Sequence, residues 1–206
     1  MLKKYFAEFT GTFLIVFVGC GSIVLNQEYK GIVSHFGISL LFGAIVYACI
    51  YVFKNYSTHF NPAVSITLYA QRLLSLKHLL FFVFFQCLGA ITSAALLHLL
   101  FPLNDLLGST IPTGGNWQSF LLEFILTLLL LALIFKLDKH PTKYAGVLIG
   151  LLIFLGAYFA GPICGASMNP ARSIGPALIS GHTEYLWIYL LAPVFGGLTA
   201  LLITKK

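Results

Sequence analysis

His59-Phe60-Asn61-Pro62-Ala63-Val64 and Met168-Asn169-Pro170-Ala171-Arg172-Ser173 decide how this chain folds. Asn is a favoured helix N-cap and Pro the favoured first helical residue, so each Asn-Pro-Ala marks a helix start. The apolar stretch that follows is short in both copies, running over 61–72 and 169–180. About a dozen residues at 1.5 Å rise make a helix of roughly 18 Å, a little over half of a ~30 Å hydrocarbon core. Neither stretch is long enough to cross a bilayer. Two such half-helices entering from opposite faces would meet near its middle and act together as a seventh span.

Six longer apolar runs surround these two stretches, at about 5–25, 35–53, 79–101, 119–137, 144–161 and 185–203, and each matches the roughly 20 residues a membrane-spanning helix needs. The chain has 206 residues, 59% hydrophobic and 9% charged, against about a quarter charged in an ordinary soluble domain. Six crossings leave no room for a soluble catalytic domain. The net charge of +6 does not point to nucleic acid, because the basic residues stand singly between apolar runs and form no stripe with interleaved aromatics. The first run follows Lys3-Lys4 in the manner of a signal peptide, but it is long and five more follow, which makes it a retained first span. Cys20, Cys49, Cys87 and Cys164 lie in or beside apolar runs with no CxxC pattern and read as packing residues.

Cytoplasmic loops of membrane proteins carry the excess of Lys and Arg. With the N-terminus inside, Lys3, Lys4, Lys54, Arg72, Lys77, Lys136, Lys139, Lys143, Lys205 and Lys206 fall on the cytoplasmic side, and only Lys30 and Arg172 fall toward the outside. Both termini are then cytoplasmic. The Pro-, Gly-, Thr- and Asn-rich stretch 102–117 reads as a long loop joining two halves.

Those halves repeat. Glu8-Phe9-Thr10-Gly11-Thr12 is echoed by Glu123-Phe124-Ile125-Leu126-Thr127, and Gln86-Cys87-Leu88-Gly89-Ala90 by Pro193-Val194-Phe195-Gly196-Gly197. Asn169 follows Asn61 by 108 residues (169 − 61), and Pro193 follows Gln86 by 107 (193 − 86). Three spans per half turn the second copy upside down, an inverted repeat. Two positive helix N-termini and two Asn amide donors are thereby expected at mid-membrane, where irregular backbone is tolerated only in contact with protein or a water-filled cavity. Such a site repels cations and orients a passing oxygen so that a proton-relaying water chain is interrupted. The bland alternative, two ordinary helix caps, does not explain why both copies start half-length helices.

Arg172 stands in an apolar region, where an arginine is costly and marks a functional site unless it snorkels to the headgroups. Its guanidinium would donate hydrogen bonds into a narrow outer vestibule. Glu8 and Glu123 occupy equivalent positions inside spans; they are read as acceptors bracing the re-entrant loops, with a proton relay as the rival role. His59 is read as a loop-bracing partner, since no second His or Cys stands at metal-ligand spacing. An intramembrane enzyme would need a paired nucleophile and base, or a metal cluster, and the candidates are isolated in sequence.

With Gly165-Ala166-Ser167 preceding the second motif, these segments together resemble the major intrinsic protein family of aquaporins and aquaglyceroporins over essentially the whole chain. The resemblance implies an all-α membrane protein of six transmembrane helices plus two re-entrant half-helices. It implies one channel domain over 1–206, with repeats at about 1–101 and 118–206, no enzymatic activity, no cofactor and no metal. It also implies a homotetramer in the lipid bilayer, with a pore in each subunit at Asn61, Pro62, Ala63, Asn169, Pro170 and Ala171. The family's narrow outer filter falls on Phe42, Ala157, Ala166 and Arg172. Ala157 departs from strict water channels, where a His usually stands, and this widens the filter toward glycerol, urea or metalloid acids. Ser173 and Ala177 depart from dedicated glycerol channels, and Gly165–Ser173 with Tyr189 and Leu190 looks most like the nodulin-26-like branch. A strict water channel and a proton-coupled small-solute transporter are the alternatives. The short termini and spare loops point to a bacterial plasma membrane.

Overall fold

The computed structural model describes residues 2–204. Lys205 and Lys206, assigned above to the cytoplasmic side, lie outside the described residues. The described chain is all α-helix and loop: α1 (Leu2–Glu28), α2 (Ser34–Phe53), α3 (Pro62–Ala70), α4 (Leu76–Leu100), α5 (Asn116–Lys139), α6 (Ala145–Cys164), α7 (Pro170–Ser180) and α8 (Leu186–Thr204). Six of these are long and apolar enough to cross a membrane, and α3 and α7 are the two that are not.

The half-helices begin where the sequence places them. Asn61 and Asn169 are extended N-caps whose side-chain oxygens accept from the Ala63 and Ala171 amides, with Pro62 and Pro170 opening the helices. The first ends sooner than expected: α3 stops at Ala70 and not at Arg72. The Gln71 amide closes it by donating to the Thr67 carbonyl, the Arg72 amide donates to that of Tyr69, and Arg72 turns to φ 65°, which reverses the chain toward α4. The second runs its full length to Ser180 and stops at the left-handed Gly181, φ 83°.

Each half is built on one extensive helix pair, α1 against α4 and α5 against α8, while α2 packs on α6 to join the halves. Side chains small enough to vanish set these distances. A Cβ at Gly89 would strike the Phe9 carbonyl oxygen, and one at Gly196 would strike the equivalent carbonyl of Phe124. Membrane helices gain little from hydrophobicity against one another and depend on such close approach. Gly196→Val should therefore part α5 from α8 and destabilise by about 1–3 kcal/mol or more. Thermal unfolding in detergent checks this: an unchanged midpoint would show that the contact contributes nothing.

The loop between α4 and α5 is no slack linker. Leu107 is fully buried, and the Asn104 side chain accepts from the Leu107 amide while donating to Gln27 and Glu28 at the end of α1. Thr113 and Gly114 donate from their amides to the Ile163 carbonyl, and the Thr113 hydroxyl donates to Pro162. These bonds satisfy carbonyls that α6 leaves free around its last-turn proline. The loop is thus fastened to both ends of the bundle's outer face.

Candidate functional site

At the centre of the bundle the two Asn-Pro-Ala loops are tied to each other crosswise. Asn61 Nδ2 donates to the Met168 carbonyl at 2.7 Å, and Asn169 Nδ2 donates to the Phe60 carbonyl at 2.8 Å. The carbonyls are aimed by their own backbone: Phe60 and Met168 sit at φ 50° and 53°, a left-handed conformation that side-chain-bearing residues rarely adopt. Each Asn is fully determined by this arrangement. Its oxygen caps the helix, one N–H crosses to the other loop, and the second N–H of the amide has no partner among the described residues. Both side chains line the central cavity.

Two carboxylates hold the strained backbone. Glu8 accepts from the His59 amide at 3.0 Å, the Phe60 amide at 2.7 Å, the Gln86 Nε2 at 2.6 Å and the Ser57 hydroxyl. Glu123 accepts from the Ser167 and Met168 amides, both at 2.7 Å. His59 and Phe60 correspond to Ser167 and Met168 in the repeat, so the bracing is symmetric although the residue types differ. Both carboxylates are fully buried, and every one of these contacts treats them as acceptors. The His59 ring lies against the Ser65 hydroxyl, which also receives Gln86 Nε2, and no group of three or more metal-ligating side chains exists among the described residues.

The second loop is finished differently. Where Gln86 serves the first half, the repeat has Pro193, and the mid-chain loop fills the gap. Thr110 donates its hydroxyl to Ser173 at 2.9 Å, Ser173 meets Ser167 at 2.7 Å, and Ser167 donates to the Asn169 carbonyl. Because Ser167 spends its proton on that carbonyl, Ser173 is the donor to Ser167, and the chain of hydroxyls has one direction. Thr110 was not legible as a site residue in the sequence; a threonine in a polar loop carries no distinguishing signal.

Arg172 is 3% exposed, enclosed by protein on nearly every side. Its Nη1 donates to the Gly108 carbonyl at 2.8 Å and its Cζ lies 5.2 Å from the centre of the Phe42 ring, within cation–π range. Gly108 has φ 72°, and any Cβ there would collide with Cys20, so the loop passes close over α1 to deliver that carbonyl. Sequence reasoning missed Gly108, because a backbone acceptor is independent of side-chain type. The Arg172 Nε has no hydrogen-bond partner among the described residues.

Two cavities meet at this point. The central one runs past Val64, Leu130, Ile149, Asn61 and Asn169, and the outer one is lined by His35, Ser39, Ser109 and Thr110. The residues common to both are Phe42, Ala157, Ala166 and Arg172. Phe42 is seated there because Gly19 on α1 leaves room for its ring. Ala166 contributes at φ 44°, in the same strained loop as Met168.

A largely apolar conduit with helix N-termini turned inward at its midpoint defines a membrane channel of the re-entrant half-helix class. The chain belongs to the major intrinsic protein family, whose model matches residues 1–204. It is 40% identical over 202 residues to Nodulin-26 of Glycine max, covering 96% of this chain and 74% of that one. To Aquaporin NIP2-1 of Arabidopsis thaliana it is 38% identical over 216 residues, covering 99% and 75%. Among solved structures, the aquaglyceroporin from Plasmodium falciparum superposes with a TM-score of 0.87 at 24% identity, covering 100% of this chain and 96% of that one, a likeness of fold. The protein is an integral membrane channel for water and small solutes, not an enzyme, and it falls with the nodulin-26-like branch.

Proposed function

We propose that the channel passes water together with small uncharged solutes of the size of glycerol, urea or an undissociated metalloid acid, and excludes protons and ions. Phe42, Ala157, Ala166 and Arg172 are its selectivity filter. The observation that carries this reading is that these four residues are the shared wall between the outer and central cavities, with only a methyl group at Ala157. A narrow ring with one missing side chain admits a wider solute than water. Asn61-Pro62-Ala63 and Asn169-Pro170-Ala171 form the proton block: each Asn has one N–H free to fix the orientation of a passing oxygen, and the half-helix dipoles oppose cations. Glu8, Glu123 and His59 brace the loops.

The whole chain, 1–206, acts as one domain, with repeats at about 1–101 and 118–206. The lysine distribution supports cytoplasmic termini; the placement in a bacterial plasma membrane rests on the spare loops, and the relatives named above are plant proteins. A homotetramer is the assembly that fits the family, and α2, which buries only Ser39, Gly43 and Cys49, leaves a broad apolar face for a neighbouring subunit or lipid.

Proteoliposomes placed in an inward glycerol gradient test the solute range. Swelling faster than in empty liposomes is expected. Swelling at the empty-liposome rate, with water flow intact, would make this a strict water channel.

A further inference from the structure

The last turns of α5 carry Ala132, Phe135, Lys136, Lys139 and His140 at i, i+3, i+4, i+7 and i+8, one continuous face of the helix and its cap. With Thr204 at the end of α8 they line a surface groove. The stripe changes character along its length. Phe135 is buried and Ala132 partly so, whereas Lys136, Lys139 and His140 are exposed. Since α5 crosses the membrane, that change falls where the helix leaves the hydrocarbon. The Lys139 ammonium donates to the Thr204 carbonyl at 2.8 Å, which ties α8 to α5 and holds the charge over the groove. Asp138 is not among the lining residues; two positions from Lys136, it points about 200° around the helix.

We propose that this groove binds an anionic phospholipid, with the headgroup phosphate among Lys136, Lys139 and His140 and an acyl chain along Ala132 and Phe135. Charge complementarity selects the partner. Lysines at the edge of the bilayer attract anionic headgroups, and basic pockets between membrane helices are where such headgroups lodge. The apolar floor continuous with the cationic rim requires a ligand that is itself apolar at one end and anionic at the other. A zwitterionic headgroup would bring its own ammonium against the same bases.

Lipid titration of the detergent-solubilised full-length protein by native mass spectrometry tests the assignment. Phosphatidylglycerol should bind at least about tenfold more tightly than phosphatidylcholine, from the attraction of two lysines at a membrane surface. Lys136→Gln with Lys139→Gln should bring that ratio close to one, and Lys136→Gln alone should lower it severalfold. Lys3→Gln with Lys4→Gln, an equal loss of charge at the start of α1, should leave it unchanged. A wild-type ratio near one overturns the proposal. So does an equal loss in the α1 pair, which would mean diffuse attraction to a basic face. Displacement of phosphatidylglycerol by millimolar inorganic phosphate would overturn the lipid in favour of a free-anion site.

Discussion

Glu8→Gln should abolish the folded channel although the side chains are nearly the same shape. Four donors converge on the two oxygens of Glu8: the Ser57 hydroxyl and the His59 amide on one, the Phe60 amide and Gln86 Nε2 on the other. A glutamine offers one oxygen and one NH2, so whichever way the amide is turned, at least one fixed backbone N–H, that of His59 or of Phe60, faces a donor. A buried donor left unpaired costs about 1–3 kcal/mol, and the bonds that survive lose the charge that strengthens them, together a large share of the 5–15 kcal/mol that usually separates folded from unfolded chains. The strained Phe60 backbone relies on the same contacts, so the first loop should lose its shape as well. The expected result is little protein recoverable in folded form. A Glu8→Gln variant that folds and conducts normally would show that the carboxylate is not needed as a four-fold acceptor; one that folds but loses a pH-dependent uptake would revive the proton-relay reading.

Ala157→His should convert the channel to one that passes water and rejects larger solutes. The new imidazole would enter the ring that Ala157 shares with Phe42, Ala166 and Arg172 between the outer and central cavities. Glycerol permeability should fall at least about tenfold, corresponding to roughly 1.4 kcal/mol of added barrier, while water permeability stays within a few-fold of the parent. Equal glycerol flow in parent and variant would mean that Ala157 does not face the conduit. Equal loss of water and glycerol would mean that the imidazole obstructs the pore outright.

Much of the fold is legible in the sequence because lipid permits so few solutions. A span must be a helix of set length, so six apolar runs give six crossings, and Asn-Pro-Ala followed by a short apolar stretch gives a helix that starts inside the membrane. Charge placement and the echo of Glu8 by Glu123 add the inverted repeat. The end of α3 is not legible, because Gln71 and Arg72 are good helix formers and nothing in their residue types announces the left-handed turn taken at Arg72.

The candidate site is legible wherever a side chain builds it. Asn61, Asn169, Arg172, Glu8 and Glu123 are polar groups in apolar runs, and their cost in lipid announces them. What the sequence hides is the backbone. The carbonyls of Phe60, Met168 and Gly108 receive the decisive bonds, and any residue supplies a carbonyl. The crossing of the two Asn amides joins residues more than a hundred positions apart, a pairing that only the folded repeat creates. Thr110 belongs to the same group, since its use depends on Pro193 having replaced the repeat's Gln86.

The central claim is that water crosses the membrane through the junction of the two Asn-Pro-Ala loops. Stopped-flow light scattering of proteoliposomes under an outward gradient of an impermeant osmolyte measures this directly. Vesicles holding the protein should shrink markedly faster than empty vesicles of the same lipid. Shrinkage at the rate of the empty vesicles, with the protein folded and inserted, would contradict the account.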